Sequence, residues 1–217
     1  MRSFIGNFVF TCAVVASACV TAVSSAGFIV ENGPATNLSY RIGGPNSQVE
    51  AVTWQQTGTS STSISALIGS RDGQSETVDA ILAFGSPGNV IGRSTVSVGS
   101  FASAADFTSV TLFSNLTLGA GTYGLFLFNS DTTGNVNVRW SVGATTTNTA
   151  DGTFLQSGYA NGLNTNVTDP NLSDFTVQST PLGFSVATVP EPSSFTLLGL
   201  GCIAVAVGSY RRRRQAA

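Results

Sequence analysis

The 217-residue chain has no lysine and no histidine, and its three cysteines, Cys12, Cys19 and Cys202, all lie near its ends. Each absence removes a class of chemistry. Without histidine there is no Ser-His-Asp triad and no imidazole metal site. Without lysine there is no Schiff-base amine and no phosphate-loop cation. A middle segment free of cysteine has no thiol nucleophile and no disulfide, so packing and backbone pairing must hold it together. Charge is scarce too: between residues 27 and 188, four arginines (41, 71, 93, 139) face ten acids, a formal charge of −6. That balance disfavours nucleic acid and anionic surfaces as partners. The middle shows no convincing helical period, with room for one helical turn at Ser100 to Asp106. No cofactor is implied, and the chain reads as non-enzymatic.

What is present begins at the two ends. Arg2 precedes an uncharged apolar stretch, Phe4 to Val23, which Ser24-Ser25-Ala26 follows with small residues. This is the pattern of a secretory signal peptide over residues 1–26, cut between Ala26 and Gly27 by signal peptidase after passage through the Sec translocon. Cleavage after Ala22, and lipidation of Cys19 within Ala16-Ser17-Ala18-Cys19, are the alternatives.

From Val189 the chain ends VPEPSSFTLLGLGCIAVAVGSYRRRRQAA. Pro190 and Pro192 fix φ and extend the residues before them, so Glu191 stands stiffly between two rings. Phe195 to Tyr210 is apolar and, as a helix, about 24 Å long, short of the roughly 30 Å hydrocarbon core. Gly199, Gly201 and Gly208 weaken that helix further. Arg211, Arg212, Arg213 and Arg214 act as a membrane stop and stay cytoplasmic. A weak span suits a temporary anchor; a permanent anchor is the plainer alternative. Triplet, span and arginine cluster, in this order, resemble the PEP-CTERM sorting signal of exported bacterial proteins, which exosortase-type membrane proteases recognise. The resemblance implies that Pro190, Glu191 and Pro192 are read in processing. It also implies transient anchoring in the inner membrane, then the cell surface or the extracellular space. An envelope or matrix protein associated with exopolysaccharide or biofilm is the expectation. The chain thus divides into a signal peptide (1–26), an exported domain (27–188) and a sorting signal (189–217).

Glycine, serine, threonine and asparagine punctuate short β-branched and aromatic runs in the exported domain, which predicts an all-β fold. Asn135 to Val142 alternates cleanly, with Val136, Val138, Trp140 and Val142 on one face and Asn137, Arg139 and Ser141 on the other. Thr122 to Phe128 is apolar on both faces and suits a central, doubly covered strand. Thr108 to Leu118 reads as its hairpin partner across Gly119-Ala120-Gly121. A second hairpin joins Thr77–Phe84 to Val90–Val98. Further strands are expected at Val49–Trp54, Ser63–Ile68, Thr153–Gln156, Phe175–Val177 and Leu182–Ala187. Around ten short strands predict a two-sheet antiparallel sandwich, jelly-roll-like or immunoglobulin-like. Thr117-Leu118-Gly119-Ala120-Gly121-Thr122-Tyr123 also resembles an edge found in the sandwich domains of PEP-CTERM proteins. Residues 57–65 and 145–149, rich in hydroxyls, read as solvated loops.

Three candidate chemistries remain. Glu50, Asp72, Glu76 and Asp79 are the acids available to a glycoside hydrolase, which needs two carboxyls about 5 to 9 Å apart. Asp169, Asn171 and Asp174 gather oxygen ligands of the kind calcium prefers, without the spacing of an EF-hand. Tyr159, between glycines, reads as an exposed loop aromatic, and Trp54 as a second candidate for glycan binding, although Trp54 shares a face with Val52. Trp140 reads as core.

Overall fold

The computed structural model describes residues 27–43, 48–70, 75–85, 89–100, 107–129, 138–161 and 175–189. All of them fall in one compact unit, Gly27–Val189. The expectations placed on the signal peptide, on Asp72, on Ser100 to Asp106 beyond its first residue, on Asp169, Asn171 and Asp174, and on the tail from Pro190 onward lie outside the described residues.

Eleven strands and no helix are present among the described residues. They are β1 (Phe28–Ile42), β2 (Val49–Gln56), β3 (Ser60–Ser70), β4 (Glu76–Phe84), β5 (Asn89–Val98), β6 (Thr108–Leu118), β7 (Gly121–Phe128), β8 (Val138–Asn148), β9 (Gly152–Ala160), β10 (Thr176–Gln178) and β11 (Phe184–Thr188). Two antiparallel sheets form, ordered β11-β1-β8-β3-β6 and β10-β9-β2-β7-β4-β5. Within the first eight strands the partners are β1 with β8, β2 with β7, β3 with β6 and β4 with β5. This is one long hairpin wound on itself, the jelly-roll pairing rather than the immunoglobulin one. β9 and β10 extend the second sheet beyond β2, and β11 pairs with both β1 and β3.

Side-chain alternation sets the layers. Ile64, Ile68, Trp140, Phe184 and Val186 of the first sheet meet Val52, Trp54, Val78, Leu82, Leu125 and Leu127 of the second in one buried cluster. Trp54 lies stacked on Tyr123 with ring centroids 5.5 Å apart, and its ring is 5.7 Å from that of Phe184. β7 runs between β2 and β4 and is covered on both sides, as its doubly apolar sequence requires. Its other face, Phe126 and Phe128, joins Val49, Ala51, Ile81 and Phe175 in a second cluster on the outer side of that sheet.

Several local expectations are corrected. β6 does not form a hairpin with β7: it pairs with β3 in the opposite sheet, and Gly119 and Ala120 carry the chain across. Gly121 makes the crossing possible, because a Cβ there would meet the Phe84 ring at 2.3 Å and its φ is +153°. The hydroxyl-rich stretches are largely strand. Ser60–Ser65 lies in β3 and Thr145–Asn148 in β8, where threonine's branched Cβ suits the pleat. Ser141, expected on the wet face, is fully buried, and its hydroxyl bonds the carbonyl of Thr36 at 3.3 Å. β1 was hidden in the sequence by Asn32-Gly33-Pro34 and by a register shift between Ala35 and Ser39.

Where β1 pairs with β8, the two backbones approach too closely for a side chain at Gly143. A Cβ on Gly143 would sit 2.8 Å from both the carbonyl carbon and the oxygen of Asn32, whereas one on Gly58 would meet nothing within 4 Å. Urea unfolding of the processed protein should therefore find Gly143→Ala destabilised by about 1–3 kcal/mol. Gly58→Ala should stay within about 0.5 kcal/mol of wild type. Equal stability of the two variants would contradict the packing described.

Candidate functional site

Three features of the domain bear on function. The first is the junction of its two ends. Gly27, the residue expected to begin the mature chain, donates its backbone N–H to Thr188 Oγ1 at 3.0 Å. Thr188 Oγ1 in turn donates to the Gly27 carbonyl at 3.1 Å, and the Thr188 N–H reaches the same carbonyl at 2.9 Å. The Val189 N–H then bonds the Ser61 carbonyl at 2.8 Å. Backbone pairing thus continues to the residue just before Pro190. The strand expected to end at Ala187 runs on to Thr188, and local sequence gives no signal of the clamp, since Gly27 and Thr188 are 161 residues apart.

The second feature is Glu50, at the opposite end of the sandwich. It shares the inner face of β2 with Val52 and Trp54 and is fully buried. Gln48 Nε2 donates to Glu50 Oε1 at 2.7 Å, and Gln178 Nε2 donates to Oε2 at 2.9 Å. Loss of hydration raises the carboxyl pKa to about 8, a shift that the two amide donors only partly offset. Glu50 is therefore largely protonated at neutral pH and needs an acceptor for its proton. Gln178 Oε1 has no partner among the described residues, and a half-turn of that amide would place it against Glu50 Oε2.

The third is a cleft of about 500 Å³ across β1, β3, β11 and the start of β6. Phe28 and Phe107 line it together with Ser65, Ser109, Ser185 and Glu31, and no arginine is among its described lining residues. Ser65 and Ser185 alternate with the inner-facing Ile64, Ala66, Phe184 and Val186, which puts their hydroxyls on the outer face of the sheet. Phe28 is 49% exposed.

The candidates named from sequence are distributed differently from what their chemistry would need. Trp54 is fully buried and offers no platform to a glycan. Tyr159 is not in a loop: it lies in β9, half-buried, paired with Glu50 on one side and Thr176 on the other. The flanking glycine misled the reading, because Gly158 serves the close approach of β10, with a Cβ there 3.0 Å from the Thr176 carbonyl. Asp79 lies on the opposite face of its sheet from Glu50, alongside Ile81 and Ala83, and accepts the hydroxyl of Thr95 at 2.5 Å. Glu50 and Asp79 therefore cannot flank one bond. Glu76 is half-buried at the first position of β4. The cleft residues Phe28, Glu31 and Phe107 were not singled out, since their proximity arises only from the pairing of β1, β3 and β11.

Residues 188–214 match the model of the PEP-CTERM protein-sorting motif. The chain therefore carries the signal of a secreted protein targeted to an exosortase, anchored transiently in the membrane before release. The match begins at Thr188, inside the clamp. A search of the curated proteins found no match.

Burial of Glu50 has a definite pH signature. Its folded pKa of about 8 lies above the ordinary glutamate value of 4.5, so the folded state holds the proton more tightly. The associated stability is fully present below pH 4.5 and is lost as pH rises to about 8, at up to about 1.4 kcal/mol per pH unit. Thermal melts from pH 4 to 9 should show Glu50→Gln gaining on wild type by a few kcal/mol across this window. A constant difference between the two would mean that the carboxyl is not held protonated.

Proposed function

We propose that the protein is a non-catalytic structural component of the bacterial envelope or extracellular matrix, delivered through its sorting tail and associated with exopolysaccharide. The observation that carries this reading is the sorting motif starting where the last strand of the sandwich ends, so that one cut within the tail frees an otherwise complete domain. The middle of the chain supports the non-catalytic part. It lacks histidine, lysine and cysteine, and Glu50, the one fully buried acid among the described residues, is occupied by two glutamines. Export runs through the Sec translocon and signal peptidase at the N-terminal end, and the chemistry of the C-terminal cut belongs to the exosortase. The decisive measurement is the intact mass of protein recovered from host cells and medium, beside a Pro190→Ala/Pro192→Ala variant. Released wild type lacking both ends, with the variant retained at full tail length, is the expected result. A tail still attached in both would establish a permanent anchor instead.

A second reading, glycan binding, is favoured by the cleft. Its aromatic walls, its hydroxyls and the Glu31 carboxylate match the needs of a neutral sugar, and no cation among the described lining residues would pair with an acidic one. Affinity electrophoresis of the released protein through neutral β-glucan should show retardation, and Phe28→Ala should weaken it about tenfold, or about 1.4 kcal/mol. Equal migration with and without glucan would remove this reading while leaving the structural one in place.

A further inference from the structure

The clamp at Gly27 and Thr188 joins two ends that the targeting machinery must process separately. β11 is the last strand before the sorting triplet, and it lies between β1 and β3, hydrogen-bonded along both edges. Proteases bind substrate as an extended strand with free edges, so a strand paired on both sides is closed to them. Pairing extends through the N–H of Val189, the last described residue and the one just before Pro190 in the sequence. At the other end, the cut before Gly27 turns an amide nitrogen into an α-ammonium, whose pKa is about 8. That nitrogen already donates to Thr188 Oγ1, and the bond becomes charge-assisted once the signal peptide leaves.

We propose that Thr188 is a latch between the two processed ends: it ties the new N-terminus to β11, holds residues up to Val189 out of reach of proteolysis, and thereby confines the C-terminal cut to the tail. The hydroxyl acts in both directions, accepting from the Gly27 nitrogen and donating to the Gly27 carbonyl. No other side chain with this arrangement joins the two ends among the described residues. The proposal rests on the readings that signal peptidase cuts before Gly27 and that the tail is processed.

The test compares wild type, Thr188→Val and Thr188→Ser, each produced as the full chain in the host, by intact mass and amide hydrogen exchange. Valine keeps the branched shape that suits a strand and removes the hydroxyl; serine restores the hydroxyl. Wild type and Thr188→Ser should each give one product, beginning at Gly27 and ending at or beyond Val189. Thr188→Val should exchange the Thr188 and Val189 amides about tenfold faster, as loss of about 1.4 kcal/mol of local stability requires. Its product should have a ragged C-terminus trimmed into β11. A wild-type product ending inside β11, or unchanged exchange and ends in Thr188→Val, would overturn the latch. If the tail persists in all three, processing itself has failed as a reading, and the exchange comparison on the retained protein still decides the latch.

Discussion

Everything in the first sheet depends on the backbone pairing of β11 with both β1 and β3. Five residues, Phe184–Thr188, supply hydrogen bonds to two strands at once and send Phe184 and Val186 into the core. β8 continues the circuit, pairing with β1 along its length and with β3 at Ile68 to Ser70. β11, β1, β8 and β3 thus close a circuit of pairings, which leaves β6 as the edge strand of that sheet among the described residues. The segment leading into β11 reinforces it, since Trp140 Nε1 donates to the Gly183 carbonyl at 2.7 Å and the Gly183 N–H reaches Ser141. In a segment without cysteine, this closure takes over the work that cross-links do in many exported domains.

Glu50 is the opposite kind of feature, one that costs stability. A carboxyl between β-sheets loses its hydration and regains only two amide donors. Holding it protonated avoids burying a full charge, and the glutamines on either side satisfy its oxygens with neutral groups. The mature domain therefore carries one negative charge fewer at neutral pH than its sequence suggests. Buried polar atoms without partners, at Trp54 Nε1 and Gln56 Oε1 among the described residues, add to the same cost.

The sequence made legible what depends on neighbours along the chain. The double apolar face of Thr122 to Phe128 correctly indicated a doubly covered strand, and Val138, Trp140 and Val142 face the core as their alternation indicated, although Ser141 on the other side is buried too. The β4–β5 hairpin followed from its glycine-rich turn. Long-range arrangement was far less legible. Whether Thr108–Leu118 pairs with the strand after it or with one forty residues earlier is decided by sheet packing, and local turn chemistry pointed the wrong way. β1 was missed because Gly33 and Pro34 read as loop while its edges are filled by strands more than a hundred residues distant. The candidate site shows the same division. The tail motif is a local pattern and could be read directly. The clamp and the cleft are products of tertiary pairing and left no local signature.

The wound hairpin also sets the order in which the chain can fold. β1 comes first in the chain, yet its partners β8 and β11 both start more than a hundred residues after it starts. β2 waits for β7 and β9, and β3 waits for β6, β8 and β11. Among the first four strands, none is hydrogen-bonded to another, and β5 is the first strand to bring one of them, β4, a partner. Non-local pairing of this kind is slow, because loop closure must precede any gain from contact. The first three strands therefore have no sheet of their own to form, and β11, the last strand in the chain, is the one that closes the circuit of pairings.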